Sequence, residues 1–299
     1  MLASAPTVAS MAGDPIQRWQ QALLLPGETD IVQSSLRELS EFYGISTTQA
    51  QEECESAVEG AKREWESAPR QTTQQVLDFY RNTRSYIFEH MWWHATSLVN
   101  NSANVTIADL AVQQRAREYL DLGSGVGSNG LLFAHLGMHV TLADISRTML
   151  DFARWRFQRR GIAATFIDLN EQELPAERYD FATAVDVFEH LSEPEAMLQK
   201  LCGALKVGGV LVFNVAAGFD PERPMHLLRT RYPVLRAVRR IGLRHLGREA
   251  DALRKRHYTI VRRVASNHFG NVAWGIVDRL RYGSTAEAIR LARKGGGHP

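Results

Sequence analysis

Cysteine is scarce in this 299-residue chain: Cys54 and Cys202 are the only two, far apart and outside any C-x-x-C spacing. A disulfide framework and a structural zinc site are therefore not expected, and a reducing cytoplasm suits the composition. No run of about 18 uncharged apolar residues occurs, so no segment is expected to span a bilayer. Internal repeats and long low-complexity tracts are absent. The opening MLASAPTVASMAGDP has neither a basic start nor a long apolar core, and reads as a disordered leader over residues 1–15. There is no RNA-binding module and no basic arm with interleaved aromatics, so nucleic acid is not an expected partner.

What remains is ordinary globular composition, 44% apolar and 23% charged. The net charge of +2 conceals an asymmetry. Residues 1–100 carry 7 Lys/Arg against 13 Asp/Glu, residues 101–215 carry 10 against 14, and residues 216–299 carry 18 against 6. An anionic partner should meet the C-terminal third first.

The first hundred residues read as helical. Ser46 and Gln49 form a candidate capping box ahead of TTQAQEECESAVEGAKREWE, which Pro69 ends. TTQQVLDFYRNTRSYIFEHMWWHATSLV, residues 72–99, has no Gly or Pro and predicts one long helix. From about residue 115 the pattern changes. EYLDLGSG, HVTLADIS, ATFIDLN, YDFATAVDVFEHL and VLVFNVA read as strands. Between them lie the helical stretches SNGLLFAHLG, TMLDFARWRFQRRG and EPEAMLQKLCGALKVGG, the last stopped by Gly208–Gly209. Alternation of this kind means βαβ units. The expected fold is α/β, a doubly wound and mostly parallel sheet. It has a helical N-terminal extension over residues 1–100 and a core domain over 101–299, with a basic helical segment on the substrate side at about 219–256. PVLRAVRRIGLRHLG reads as a helix, HYTIVRR as a late strand and STAEAIRLARK as a last helix.

Asp121-Leu-Gly-Ser-Gly-Val-Gly lies directly between a strand and a helix. Glycines suit a sharp turn whose backbone must approach a ligand. Gly125-x-Gly127-x-x-Gly130 also fits the dinucleotide fingerprint, a weak match alone. Asp121 argues the other way. A carboxylate disfavours a pyrophosphate and favours the ammonium and sulfonium of S-adenosylmethionine (SAM). Asp144, at a strand end 17 residues after Gly127, can accept both hydroxyls of a ribose. Asp168 can accept an adenine amino group while Leu169 packs on the ring. The alternative readings are a helix-capping Asp144, although Ser146 is the better cap candidate, and a plain turn residue at Asp168.

Taken together, DLGSGVGSNG, VTLADIS, YDFATAVDVFEHLSEP and LKVGGVLVFNV, in that order over about residues 115–216, resemble the class I SAM-dependent methyltransferases of the type 11/12-like, small-molecule branch. That branch includes quinone-ring O-methyltransferases. The resemblance implies a SAM site built from Asp121, Gly123, Ser124, Gly125, Gly127, Asp144, Ile145, Asp168, Leu169 and the backbone near Asp186. It also implies an acceptor that is a small or lipid-like molecule of small-molecule or secondary metabolism, methylated on O, C or N. The long N-terminal region and the arginine-rich segment depart from the minimal pattern.

Methyl transfer from a sulfonium is an in-line displacement, so positioning matters most and a base is optional. His190, just past the fourth strand, is the candidate base, because an unperturbed imidazole titrates near neutrality. Glu189 beside it reads as a helix-start acid. Tyr80, Tyr86, His90, Trp93 and His94 are expected to line an acceptor pocket beneath a helical lid, the alternative being aromatic packing on the sheet. No metal is expected. Arg236, Arg239, Arg240, Arg244 and Arg248, interleaved with apolar residues, predict a basic amphipathic helix: a solvated face, a peripheral membrane contact, or a grip on an anionic acceptor. Oligomeric state is not legible. Two rival functions stand, a nicotinamide-dependent oxidoreductase using the same loop and a non-catalytic SAM-binding scaffold.

Overall fold

The computed structural model describes residues 13–218, 223–247 and 250–265. Seven strands form one sheet in the order β3-β2-β1-β4-β5-β7-β6. The strands β1 (Glu118–Leu122), β2 (His139–Asp144), β3 (Thr165–Asp168), β4 (Tyr179–Ala184) and β5 (Leu205–Phe213) are parallel. The strand β7 (Thr259–Arg263) runs antiparallel to β5, and β6 (Leu243–His245) antiparallel to β7. Alternate side chains enter opposite faces. Tyr119, Phe181, Val210 and Val212 join one core cluster, whereas Leu120, Ala182, Leu211 and Phe213 join the other. The order reverses between β1 and β4, which opens a crevice at the carboxyl ends of those strands. This is the doubly wound, mostly parallel α/β fold expected.

On the sheet faces lie α8 (Ser128–His135), α9 (Arg147–Arg159), α10 (Pro194–Ala204), α11 (Tyr232–Arg240) and α12 (Asp251–Lys255). Ahead of the sheet come α1 (Pro15–Leu23), α2 (Ile31–Tyr43), α3 (Thr47–Glu55), α4 (Ala57–Ser67), α5 (Thr73–Asn82), α6 (Ser85–Thr96) and α7 (Leu98–Gln113). The Ser46–Gln49 capping box forms, and Ser146 caps α9. α7 crosses residue 100 unbroken, and its Val105, Ile107 and Ala108 join the same core cluster as Tyr119 and Phe181.

Three expectations about elements are corrected. The stretch 72–99 is not one helix; it divides at Thr83 and Arg84. The cause is tertiary. Glu64 of α4 accepts from the Thr83 hydroxyl and from the Ser85 hydroxyl at 2.6 Å and backbone N–H at 3.3 Å, so a carboxylate from another helix caps α6. Glu64→Ala should therefore lower stability by about 1–2 kcal/mol, the usual worth of a cap. Thermal unfolding measures it, and an unchanged melting temperature would contradict the capping role.

The helix before Gly208–Gly209 ends earlier, at Ala204, and both glycines lie inside β5 at an irregularity in its pairing with β4. A Cβ on Gly209 would sit 2.9 Å from the carbonyl oxygens of Lys206 and Tyr179. Finally, the basic helix ends at Arg240. Gly242, at φ 93°, turns the chain so that Leu243–His245 enter the sheet, placing Arg244 on a strand. Several of these arginines already have protein partners. Arg240 pairs with Glu195 at 2.7 Å, and Arg244 donates to the carbonyls of Arg239 and Leu243. Arg248 and the last expected helix lie outside the described residues. Among those residues, no helix is long and apolar enough to cross a membrane.

Candidate active site

A cavity of about 690 Å³ lies over the carboxyl ends of the central strands. Leu122, Asp144, Leu169 and Val185 mark where β1 to β4 deliver the chain to it. Gly123, Ser124 and Gly125 form one wall, and α5 and α6 cover it with Tyr80, Tyr86, His90, Trp93 and His94. The glycine turn needs its residue type: Gly123, Gly125 and Gly127 have φ of 65°, 51° and 78°. A Cβ on Gly125 would come within 2.7 Å of His90 Nδ1, so α6 packs directly on the turn.

The acids expected to hold a nucleoside are placed unequally. Asp144 lines the cavity; one oxygen accepts from the Gly125 N–H and the other from the Ser146 N–H, each at 2.8 Å. Burial raises its pKa, and those two backbone bonds oppose the rise. Asp121 lies behind the turn and is not among the lining residues; neither is Gly127. Its Oδ1 accepts from Thr183 at 2.8 Å, its Oδ2 has no partner, and burial pushes its pKa up to about 7. Asp168 also stays out of the lining. Its Oδ1 accepts from the Asn170 backbone at 2.9 Å and side chain at 2.6 Å, which is the turn role, while Leu169 reaches the cavity. Ile145 and Asp186 do line it. Asp186 adopts φ 53°, held by Asn214, which accepts from its N–H at 2.7 Å.

The other end is built around β4's continuation. The Tyr80 hydroxyl donates its single proton to the Met225 carbonyl at 2.6 Å and lies 3.1 Å from His190 Nδ1. His190 must then carry its hydrogen on Nδ1 and its lone pair on Nε2. Burial, then neighbouring His226 and His90, drives the His190 pKa down to about 3. Glu189 is only 2% exposed, and its carbonyl accepts from the N–H groups of Leu227 and Leu228 at 2.7 and 3.2 Å. Its Oε2 is unpartnered, and burial followed by Asp186 raises its pKa to about 8. Glu189, His190 and His226 bring ligand atoms within 4.8 Å of one another, a donor set that a divalent first-row cation could use. At the rim, Arg223 pairs with Glu89 of α6 at 3.0 Å.

Sequence reasoning did not find Glu189, His226, Asn104 or Asn129 as site residues. Glu189 was visible beside His190 but read as a dipole partner. His226 sits in a loop with no periodicity, and the two asparagines carry no motif. The folded chain reveals them: Glu189 and Asn104 are buried, and half-buried His226 and Asn129 line the cavity. Eight buried side-chain polar atoms among the described residues lack a partner, and six of these, on Tyr86, His94, Asn104, Ser124, Asn129 and Glu189, belong to residues lining this cavity. Orphaned buried polar atoms are rare in folded proteins and cost about 1–3 kcal/mol each. Six of the eight belong to residues around this one cavity.

Residues 120–211 match a family model described as a methyltransferase domain. The chain carries a class I methyltransferase domain of the type 11/12 kind. Among curated proteins it is similar to the ubiquinone biosynthesis O-methyltransferase of Coxiella burnetii, 23% identical over 130 residues, covering 41% of this chain and 56% of that one. The Proteus mirabilis protein of the same name is 30% identical over 111 residues, covering 34% of this chain and 45% of its own length. The chain thus spans about half the length of the curated relatives it matches. Among solved structures it is similar to a Haemonchus contortus phosphoethanolamine N-methyltransferase. The TM-score is 0.48 at 14% identity, over 66% of this chain and 62% of that one.

Proposed function

We propose that the protein transfers a methyl group from SAM to a small-molecule acceptor bound between the helical roof and the end of β4. The observation that carries this reading is the cluster of partnerless polar atoms around a crevice whose carboxylates, Asp144 at the wall and Asp121 behind the turn, suit a cationic nucleoside. A pyrophosphate would meet those carboxylates, whereas the cationic side chains of the lining, Lys200 and Arg223, come from α10 and the loop after β5. That charge distribution disfavours the nicotinamide reading.

SAM supplies an electrophilic methyl on a positively charged sulfur, so no separate activation of the electrophile is required. The chain's own residues bind and orient. On this reading Asp144 accepts from a ribose, Ile145 and Leu169 pack against an adenine, and the Asp186 backbone borders the site; all four line the cavity. α5 and α6 exclude water from the acceptor. His190, oriented by Tyr80, offers its Nε2 lone pair on the acceptor side. Burial lowers the His190 pKa to about 3 and raises that of Glu189 to about 8, so the near-neutral base expected at His190 does not hold, and positioning of the acceptor hydroxyl carries the step. On this reading Tyr86, whose buried hydroxyl has no partner, holds the acceptor hydroxyl.

Calorimetry with S-adenosylhomocysteine (SAH) and NAD tests the reading. SAH should bind with one site, and Asp144→Ala should weaken it at least about tenfold, the loss of hydrogen bonds to a charged acceptor. Binding of NAD with no heat from SAH would overturn the proposal. Methyl-labelled SAM with a cell extract then separates enzyme from scaffold, since a scaffold labels nothing.

A further inference from the structure

The partnerless atoms divide into two groups. Tyr86 and Glu189 belong to the acceptor side. The other four, on His94, Asn104, Ser124 and Asn129, come from α6, α7, the glycine turn and α8. Two of those elements belong to the helical roof and lie outside the residues that match the methyltransferase model. We infer that the roof reads the amino-acid end of the cofactor, with His94 and Asn104 completing, beside Ser124 and Asn129, a pocket for an α-ammonium and α-carboxylate. The inference rests on the SAM reading above and adds to it which of this chain's residues take that end.

The chemistry of the set fits a zwitterion. No lysine or arginine belongs to it, and the nearby Arg156 guanidinium, which acts on His94, is already paired with Glu38 at 3.0 Å, so a lone carboxylate gains no free counter-charge there. Each member is a neutral group carrying an oxygen or nitrogen lone pair, and an ammonium needs several acceptors. A carboxylate needs donors. α8 provides them: its N-cap is Gly127, which makes no side-chain cap, so the first N–H groups of an eight-residue helix are left to another partner. Asn104, 7% exposed, is a nearly buried amide with its oxygen unpaired. His94 has a buried Nδ1 without a partner.

The set is also held in place before any ligand arrives. The Trp19 indole N–H donates to the His94 carbonyl at 2.9 Å, fixing that turn of α6. Asn101 donates to the carbonyls of Trp93 and Ser97 at 2.9 and 3.1 Å, joining α6 to α7 across their junction. Arg156 donates to the Val126 carbonyl at 2.7 Å and the Ser128 hydroxyl at 3.1 Å, fixing the turn and the start of α8.

The test compares two nucleosides. SAH carries the amino-acid end; 5′-methylthioadenosine has the same adenosine and sulfur without it. Wild-type protein should bind both by calorimetry, SAH more tightly. Asn104→Ala and His94→Ala should each weaken SAH about tenfold or more and leave methylthioadenosine within about twofold. Asn104→Asp, which sets a carboxylate against the ammonium, should keep or strengthen SAH binding. Thermal unfolding confirms that each variant is folded; should Asn104→Ala fail to fold, the Asp variant and His94→Ala decide. Equal weakening of both nucleosides, or no change in SAH, would overturn the assignment while the SAM reading survives. Methylthioadenosine binding as tightly as SAH in the wild type would overturn it too. If the wild type binds neither nucleoside, the methyl-transfer reading fails and this assignment with it.

Discussion

Asp121→Asn is expected to make the ligand-free protein more heat-stable than wild type at pH 8 and nearly equal to it at pH 4. The Asp121 carboxyl is 2% exposed, has one oxygen without a partner, and is pushed by burial to a pKa of about 7 from 3.8. A raised carboxylate pKa means that the fold holds a proton which the unfolded chain has released. Stability attached to this group is complete below the unfolded value, declines as pH rises, and is lost above the folded value. The window therefore runs from about pH 4 to about pH 7. Its depth is on the order of 2–4 kcal/mol, since one pKa unit is worth about 1.4 kcal/mol. Asparagine keeps an acceptor for the Thr183 hydroxyl and cannot ionise, so the variant should lack this slope. Saturating SAH should restore more stability to wild type than to the variant at pH 8, because only the wild type sets an ionised carboxylate behind the turn against the ligand's ammonium. Parallel curves of melting temperature against pH for the two proteins would refute the assignment, and equal stabilisation by SAH would remove the electrostatic role.

The sheet was readable because its signal is local. EYLDL, HVTLAD and FATA are short apolar runs bounded by glycine or acidic turns, and a parallel strand buried on both faces has that appearance. The glycine turn and Asp144 were readable for the same reason: a positive φ and a strand-end carboxylate leave a trace in adjacent residues. The roof was half readable. Its residues Tyr80, Tyr86, His90, Trp93 and His94 do line the cavity, but the break that orients α5 against α6 was not visible. That break depends on Glu64, nineteen residues before Thr83, and no window of helical periodicity contains such a contact. His226 and Asn104 were unreadable as well. Their importance comes from their place beside an empty space, which only the folded chain defines. The proton chemistry of Asp121, Glu189 and His190 departs from ordinary values for the same reason: desolvation is a property of the packed site.

Glu38→Ala should be the most damaging single change in the helical extension. Glu38 of α2 is fully buried and accepts from Arg156 Nε at 3.2 Å, from Arg156 Nη2 at 3.0 Å and from Arg160. Burial alone would raise its pKa, but the two guanidiniums outweigh that and hold it below the ordinary carboxylate range. Removing the carboxylate leaves two buried cations uncompensated, which costs about 3–5 kcal/mol. A chain of this size should lose on the order of 10 °C in melting temperature. Arg156→Met separates stability from function. It leaves Glu38 with Arg160, a balanced pair, but it severs the bonds from Arg156 to Val126 and Ser128 that brace the glycine turn. Its stability loss should be smaller, about 1–3 kcal/mol for an orphaned carbonyl. SAH affinity should nonetheless fall by about tenfold, because the turn that approaches the ligand has lost its support. If Arg156→Met binds SAH as wild type does, the turn keeps its shape unaided, and the Glu38–Arg156 pair serves stability alone.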